Sequence, residues 1–188
     1  MVRARGAYSL HRKDAWQGPR LRYDYAMNAE QPAAVDRAEA LFREGFACSQ
    51  AVLMAFAPGL GMDRQQAALV ASAFGGGMAR HGWTCGALTG ALMAIGLHAG
   101  HTAAEDAATK DDLYARAQVL VARFEARHGA TACRQLVGAN MLDPIERQAA
   151  SDRGVFTTLC PQLVRTAASL VAEELAVPRG GRSLTAPG

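Results

Sequence analysis

From Thr84 to Ala99 the chain reads TCGALTGALMAIGLHA, a run in which nearly every residue is small or apolar. Such a segment has no polar face to offer water, so whatever fold the chain adopts must wrap it on all sides. It falls short of the ~20 apolar residues of a membrane span, and Thr84, Cys85, Thr89 and His98 interrupt it. The expectation is a central buried helix. Gly86, Gly90 and Ala94 recur at four-residue spacing, which leaves one helix face smooth enough for another backbone to approach. Each interior glycine costs about 0.5–1 kcal/mol relative to alanine, so close packing must offset it.

The flanking segments supply the wrapping. AAVDRAEALFR, 33–43, puts Val35, Ala38, Leu41 and Phe42 on one face and reads as an amphipathic helix. FACSQAVLMAFA restarts after Gly45 as a buried helix ended by Pro58 and Gly59. Asp63 is a good N-cap for a third helix that stops at the glycines 75–77. From Asp111 to His128 a stripe of Leu113, Ala117, Leu120, Val121 and Phe124 leads to Gly129 as the stop. TACRQLVG reads as a short helix closed by Gly138, NMLDPIERQAASDRG as a polar, proline-interrupted loop, and TTLCPQLVRTAASLVAEEL as the last helix, with Pro161 in its first turn. No alternating strand pattern occurs. The expected fold is all-α: a single compact bundle of about six helices over residues 33–176, preceded by a flexible basic arm (1–32) and followed by a disordered tail (177–188).

Charge narrows the function. The formal net charge is +3, but through Pro32 there are six Lys/Arg against three acids, and from Ala33 onward fourteen against fourteen. A neutral body has no electrostatic footprint for nucleic acid. The arm contains no continuous apolar stretch of the secretory kind, so the expected location is cytoplasmic, with no membrane span. In that compartment four cysteines are not a disulfide scaffold; they are apolar filler, metal ligands or redox thiols.

Their setting discriminates. CSQAVL, CGALTG, CRQLVG and CPQLVR each lead from a cysteine into an apolar helical run, and three of the four carry glutamine two residues on. A thiol in the first turn of a helix faces unpaired N–H groups and the positive end of the dipole, so it ionises more readily. Four such helix starts, if they converge, make a pocket for anionic sulfur. Cys85 follows the glycines 75–77, which let the backbone turn tightly.

GFACSQAVL, FGGGMARHGWTCGALTGALMAIGL, ARHGATACRQLVG and CPQLVRTAASL together resemble the redox-active family named for its C-GCAxxG-C-C cysteine pattern. The resemblance runs from about Ala38 to Glu174 and includes all four cysteines in order; where the family label has Gly-Cys-Ala, this chain has Thr84-Cys85-Gly86-Ala87. It implies a small helical redox protein, some of whose relatives carry an iron–sulfur centre.

Three functions follow as expectations. In the first, Cys48, Cys85, Cys133 and Cys160 ligate an iron–sulfur cluster, [2Fe–2S] favoured, with Gly75, Gly76, Gly77 and Gly86 forming its cradle and zinc as an alternative metal. In the second, no metal is present and Cys85 is the nucleophile of a dithiol with Cys48, serving a redox partner protein or a small-molecule thiol or disulfide. In the third, the cysteines are inert core of an interaction module. The alanine and glycine faces suit a homodimer. There is no CxxC pair, no CxxCH haem site and no P-loop lysine after the glycines. His81 reads as a solvated loop residue; His98, His101 and His128 suit helix ends. Met54, Met78 and Met93 read as core filler rather than copper ligands.

Overall fold

The computed structural model describes residues 30–177; the expected tail after Val177, and the expected arm as far as residue 29, lie outside it. Eight α-helices follow in order among these residues: α1 (Glu30–Arg43), α2 (Cys48–Phe56), α3 (Arg64–Ala71), α4 (Gly86–Ala99), α5 (Ala107–His128), α6 (Cys133–Val137), α7 (Pro144–Asp152) and α8 (Val155–Leu175). Single 3₁₀ turns, Pro58–Leu60 and Ser72–Phe74, bracket α3. The fold is all-α, as the sequence predicts.

Four helices form the central ring. α1 packs on α2, α2 on α4, α4 on α8, and α8 back on α1, while α5 lies outside across α4 and α8. α4 is the apolar run with which the sequence reading began, and it is wrapped as expected. On its smooth face, a β-carbon at residue 90 would lie 2.6 Å from the carbonyl oxygen of Ser49, and one at residue 86 would lie 2.5 Å from the sulfur of Cys48. The glycines therefore set how closely α2 and α4 approach. α8 is long and apolar enough to cross a membrane by length and composition alone. In this fold it is the helix on which α1, α4, α5 and α7 pack.

Two differences from the sequence reading bear on the site. The stretch assigned to loop contains α7, because Asp143 and Pro144 start a helix instead of interrupting one. The Asp143 carboxylate accepts from the N–H groups of Ile145 at 2.8 Å and Glu146 at 3.3 Å, and Pro144 sits at the first helical position, where its missing N–H is no loss. α8 likewise begins earlier than expected, directly after left-handed Gly154. Pro161 is thereby inside the helix, not in its first turn, and cannot donate to the carbonyl of Thr157. Cys160 moves with it into the helix body.

One fully buried cation lies between α5 and α8. The Arg116 side chain is 0 % exposed, and it donates to Asp112 at 2.7 Å and to Glu174, itself nearly buried, at 2.8 Å.

Candidate functional site

Cys48 is the first residue of α2, Cys85 the N-cap of α4, and Cys133 the first residue of α6. Three of the four cysteines thus stand at helix starts. Cys160 does not, for the reason just given. All four are free thiols, and all four border one cavity of about 170 Å³ whose other walls include Phe42, Val137, Met141, Phe156 and Leu163.

Local structure explains how residues so distant in sequence meet. The start of α2 is fastened by Gln50, whose side-chain oxygen accepts from the Ala47 N–H at 3.0 Å while its amide donates to the Ala68 carbonyl at 2.9 Å. This is one concrete use of a glutamine two residues after a cysteine. The buried Ser49 hydroxyl donates to the Ala71 carbonyl at 2.8 Å, tying α2 to the end of α3. A short antiparallel bridge joins Thr84 to Ala132. Within it the Cys85 N–H donates to the Thr131 carbonyl at 2.8 Å, and the Cys133 N–H donates to the Trp83 carbonyl at 2.6 Å. Residues 85 and 133 are set side by side by these bonds.

The glycine-rich loop is left-handed over five successive residues. Gly76, Gly77, Met78, Ala79 and Arg80 have φ of +65°, +68°, +62°, +49° and +70°. Each of the three non-glycine members carries about 1–2 kcal/mol of strain, so the surroundings must impose the shape. They do so through backbone bonds from Ala79 N–H to Ala73 at 2.7 Å and from Trp83 N–H to Gly77 at 3.1 Å. The Arg134 guanidinium clamps the far side by donating to the carbonyls of His81 and Gly82. Met78 belongs to this loop, not to a helical core. His81 is exposed and stacks on the half-exposed ring of Trp83, centroids 4.7 Å apart.

The four glycines expected to form a cradle have separate tasks. Gly75 has ordinary extended backbone, and a β-carbon there would strike that of Ala47 at 2.8 Å. Gly76 lines the cavity with Gly75. Gly77 does not line it; a β-carbon there would lie 2.7 Å from that of Cys133. Gly86 leaves the space that the Cys48 sulfur occupies.

Electrostatics separates the thiols. Cys48 is brought down to about 7, chiefly because the Cys85 thiol donates to its sulfur, with the N–H groups of Gly76 and Ser49 and its own N–H adding to the effect against the penalty of burial. Cys85 is pushed up by the same contact, since it is the donor, and then by burial and the charge of Cys48. Of the two, Cys48 is the thiol whose ionisation the pair favours. Burial, then the Cys48 charge, raises Cys133 to about 11; burial, then the charges of Cys48 and Cys133, raises Cys160 to about 12. The sequence reading favoured Cys85 as nucleophile because its loop looked accessible. Cys85 is only 4 % exposed and its thiol is raised, whereas Cys48 is partly exposed and its thiol is lowered.

Whether the site fits a metal can be tested on its donors. Among the described residues no group of three or more His, Cys, Asp and Glu side chains is placed to hold a metal ion. Four cysteines border one cavity, but the four-thiolate set of an iron–sulfur cluster is not assembled in this geometry. What the cavity does bring together is Cys48 and Cys85, close enough for each to perturb the other's ionisation.

Two wall residues that sequence reasoning passed over, Met141 and Phe156, came from the segment read as loop and from the unrecognised first turn of α8. No spacing rule would have found them.

A family model described as "Putative redox-active protein (C_GCAxxG_C_C)" matches residues 46–174, a span that contains all four cysteines. No curated protein and no solved structure matches the chain.

Proposed function

Because the chain belongs to the C_GCAxxG_C_C family of redox-active proteins, we propose that Cys48 and Cys85 are its working dithiol, exchanging two electrons with a thiol or disulfide partner. The observation that carries this reading is that Cys48 and Cys85 border one cavity, where the Cys85 neighbour lowers Cys48 to about 7. The Cys48 sulfur attacks one sulfur of a substrate disulfide, forming a mixed disulfide and releasing the other half as a thiolate. The Cys85 proton goes to that leaving thiolate. The Cys85 sulfur then attacks the Cys48 sulfur, closing the intramolecular disulfide and releasing the second half. The substrate gains two electrons and the pair loses two. An excess of a small thiol runs both exchanges backwards and restores the dithiol.

The pH dependence follows from the sign of the Cys48 shift. A thiol lowered to about 7 is anionic above that pH and loses reactivity tenfold per unit below it. Alkylation of Cys48 by iodoacetamide, followed by mass spectrometry, is expected to rise to a plateau with a midpoint near pH 7. An ordinary thiol would keep rising to about 8.5. Cys85→Ala removes the largest stabilising donor and moves the midpoint upward. A wild-type midpoint in the ordinary range, or one that ignores Cys85→Ala, contradicts the assignment.

A thiolate-ligated iron–sulfur cluster, [2Fe–2S] in its simplest form, is a second reading. The observation favouring it is that Cys48, Cys85, Cys133 and Cys160 all border one cavity. It requires Cys133 and Cys160 to close in on the pair, and a zinc site makes the same demand. Iron content and absorption between roughly 400 and 600 nm in protein purified without oxygen decide between the readings.

A further inference from the structure

Outside the cysteine cavity lies a vestibule of about 680 Å³. Phe42, Ala47, Gly75, Gly76, Met141 and Phe156 border both spaces, so the vestibule is the antechamber of the thiol pair. Its lining contains two cationic side chains, Arg80 and Arg147, and no acidic one.

Several arginines in this protein are committed to carboxylates. Arg43, Arg116, Arg123 and Arg165 each stand within 3.0 Å of one. Arg80 and Arg147 have no carboxylate partner among the described residues. Arg147 donates one N–H to the Met141 carbonyl at 2.8 Å, which anchors it at the vestibule wall and leaves most of its donor fork uncommitted. Arg80 is the last residue of the left-handed turn, held at φ +70° although only glycine adopts that conformation without strain. A Gly76 β-carbon would lie 3.1 Å from both Cα and Cγ of Arg80, so the glycine lets the arginine stem fold back over the turn. A strained backbone that places a guanidinium on the wall of the vestibule is the kind of outlier that points to function.

We infer that this vestibule selects an anionic low-molecular-weight disulfide, its carboxylates received by Arg80 and Arg147 while its sulfur–sulfur bond faces Cys48. The inference rests on the dithiol reading and adds the substrate class to it. Planar guanidinium forks pair with carboxylate oxygens through parallel hydrogen bonds, and the apolar walls shared by the two spaces accept the body of the molecule. Two cationic groups at the mouth of a low-dielectric cleft also raise the local concentration of anions. The exchange itself is the balanced two-step transfer given above, with the oxidised pair returned to dithiol by an excess of small thiol.

Two aromatic disulfides serve as probes: 5,5′-dithiobis(2-nitrobenzoate), which carries a carboxylate on each ring, and neutral 4,4′-dithiodipyridine. The readout is the ratio of their rates with the reduced full-length protein. In Arg80→Gln/Arg147→Gln that ratio is expected to fall about tenfold in the disfavour of the dicarboxylate. Raising the salt concentration should lower the ratio for wild type and leave that of the variant nearly flat, a comparison whose first half needs no substitution to fold. A ratio that neither the substitutions nor salt changes overturns the inference while leaving the dithiol reading intact, provided that Cys48→Ala still suppresses both reactions. Rates indifferent to Cys48→Ala overturn the dithiol reading and the inference with it.

Discussion

Cys48→Ala is expected to slow thiol–disulfide exchange about 100-fold at pH 7. With its thiol lowered to about 7, Cys48 is half ionised there, whereas a thiol raised to about 11, as at Cys133, is anionic in about one molecule in ten thousand. The more basic thiolate is intrinsically the better nucleophile, and a Brønsted slope of roughly 0.4–0.5 over about four units returns a factor of roughly 40–100. Ionisation wins by about two orders of magnitude. Cys85 loses the neighbour that raised it but stays buried. Cys85→Ala should behave differently: attack proceeds, but nothing resolves the mixed disulfide, which accumulates as a protein adduct visible by intact mass. A Cys48→Ala variant that exchanges at the wild-type rate would remove Cys48 from the mechanism.

The largest expected effect on stability lies far from the sulfurs. Glu174→Ala removes a nearly buried carboxylate from the fully buried Arg116 guanidinium, and breaking such a pair by deleting one partner costs about 3–5 kcal/mol. That is a large share of the roughly 5–15 kcal/mol of a typical domain. The partner Asp112 is 40 % exposed and cannot replace a dry contact. The companion variant Arg116→Met/Glu174→Leu, which removes both charges and keeps apolar volume, should recover most of the loss. Urea denaturation followed by circular dichroism measures both. A Glu174→Ala protein as stable as wild type would show that the pair contributes nothing.

Arg116 also illustrates where sequence reasoning runs out. The stripe read along α5 through Leu113, Ala117, Leu120, Val121 and Phe124 matched helical spacing, and Leu120 and Phe124 are buried as expected. Arg116 lies beside that stripe, and nothing local announces a carboxylate 58 positions later in the chain. The same distinction separates other successes from failures. α4 was legible because a segment without a polar face has only one place to go, and the starts of α2, α4 and α6 were legible because caps, glycines and apolar periodicity act within a few residues. Proline was ambiguous. Pro144 opens a helix behind the Asp143 cap, whereas Pro161 sits inside a helix that has already begun at Val155.

At the site, the convergence of four cysteines was an expectation that local pattern could raise but not establish. Bringing residue 85 beside residue 133 takes a bridge only a few residues long, too short to leave a period in the sequence. The left-handed conformation of Met78, Ala79 and Arg80 is imposed by tertiary bonds against intrinsic preference, so residue type could not reveal it. Nor could the sequence decide which thiol of the pair holds the charge. That depends on the Cys85 side chain and on the backbone N–H groups of Gly76 and Ser49 beside the Cys48 sulfur, which residue spacing does not show.

The most direct test of the dithiol account is the disulfide connectivity of the protein after mild oxidation, read by digestion under acidic conditions and mass spectrometry. The account predicts a single intramolecular Cys48–Cys85 linkage, with Cys133 and Cys160 recovered as free thiols. Recovery of all four as free thiols, or a linkage through Cys133 or Cys160 in place of Cys48–Cys85, would contradict it.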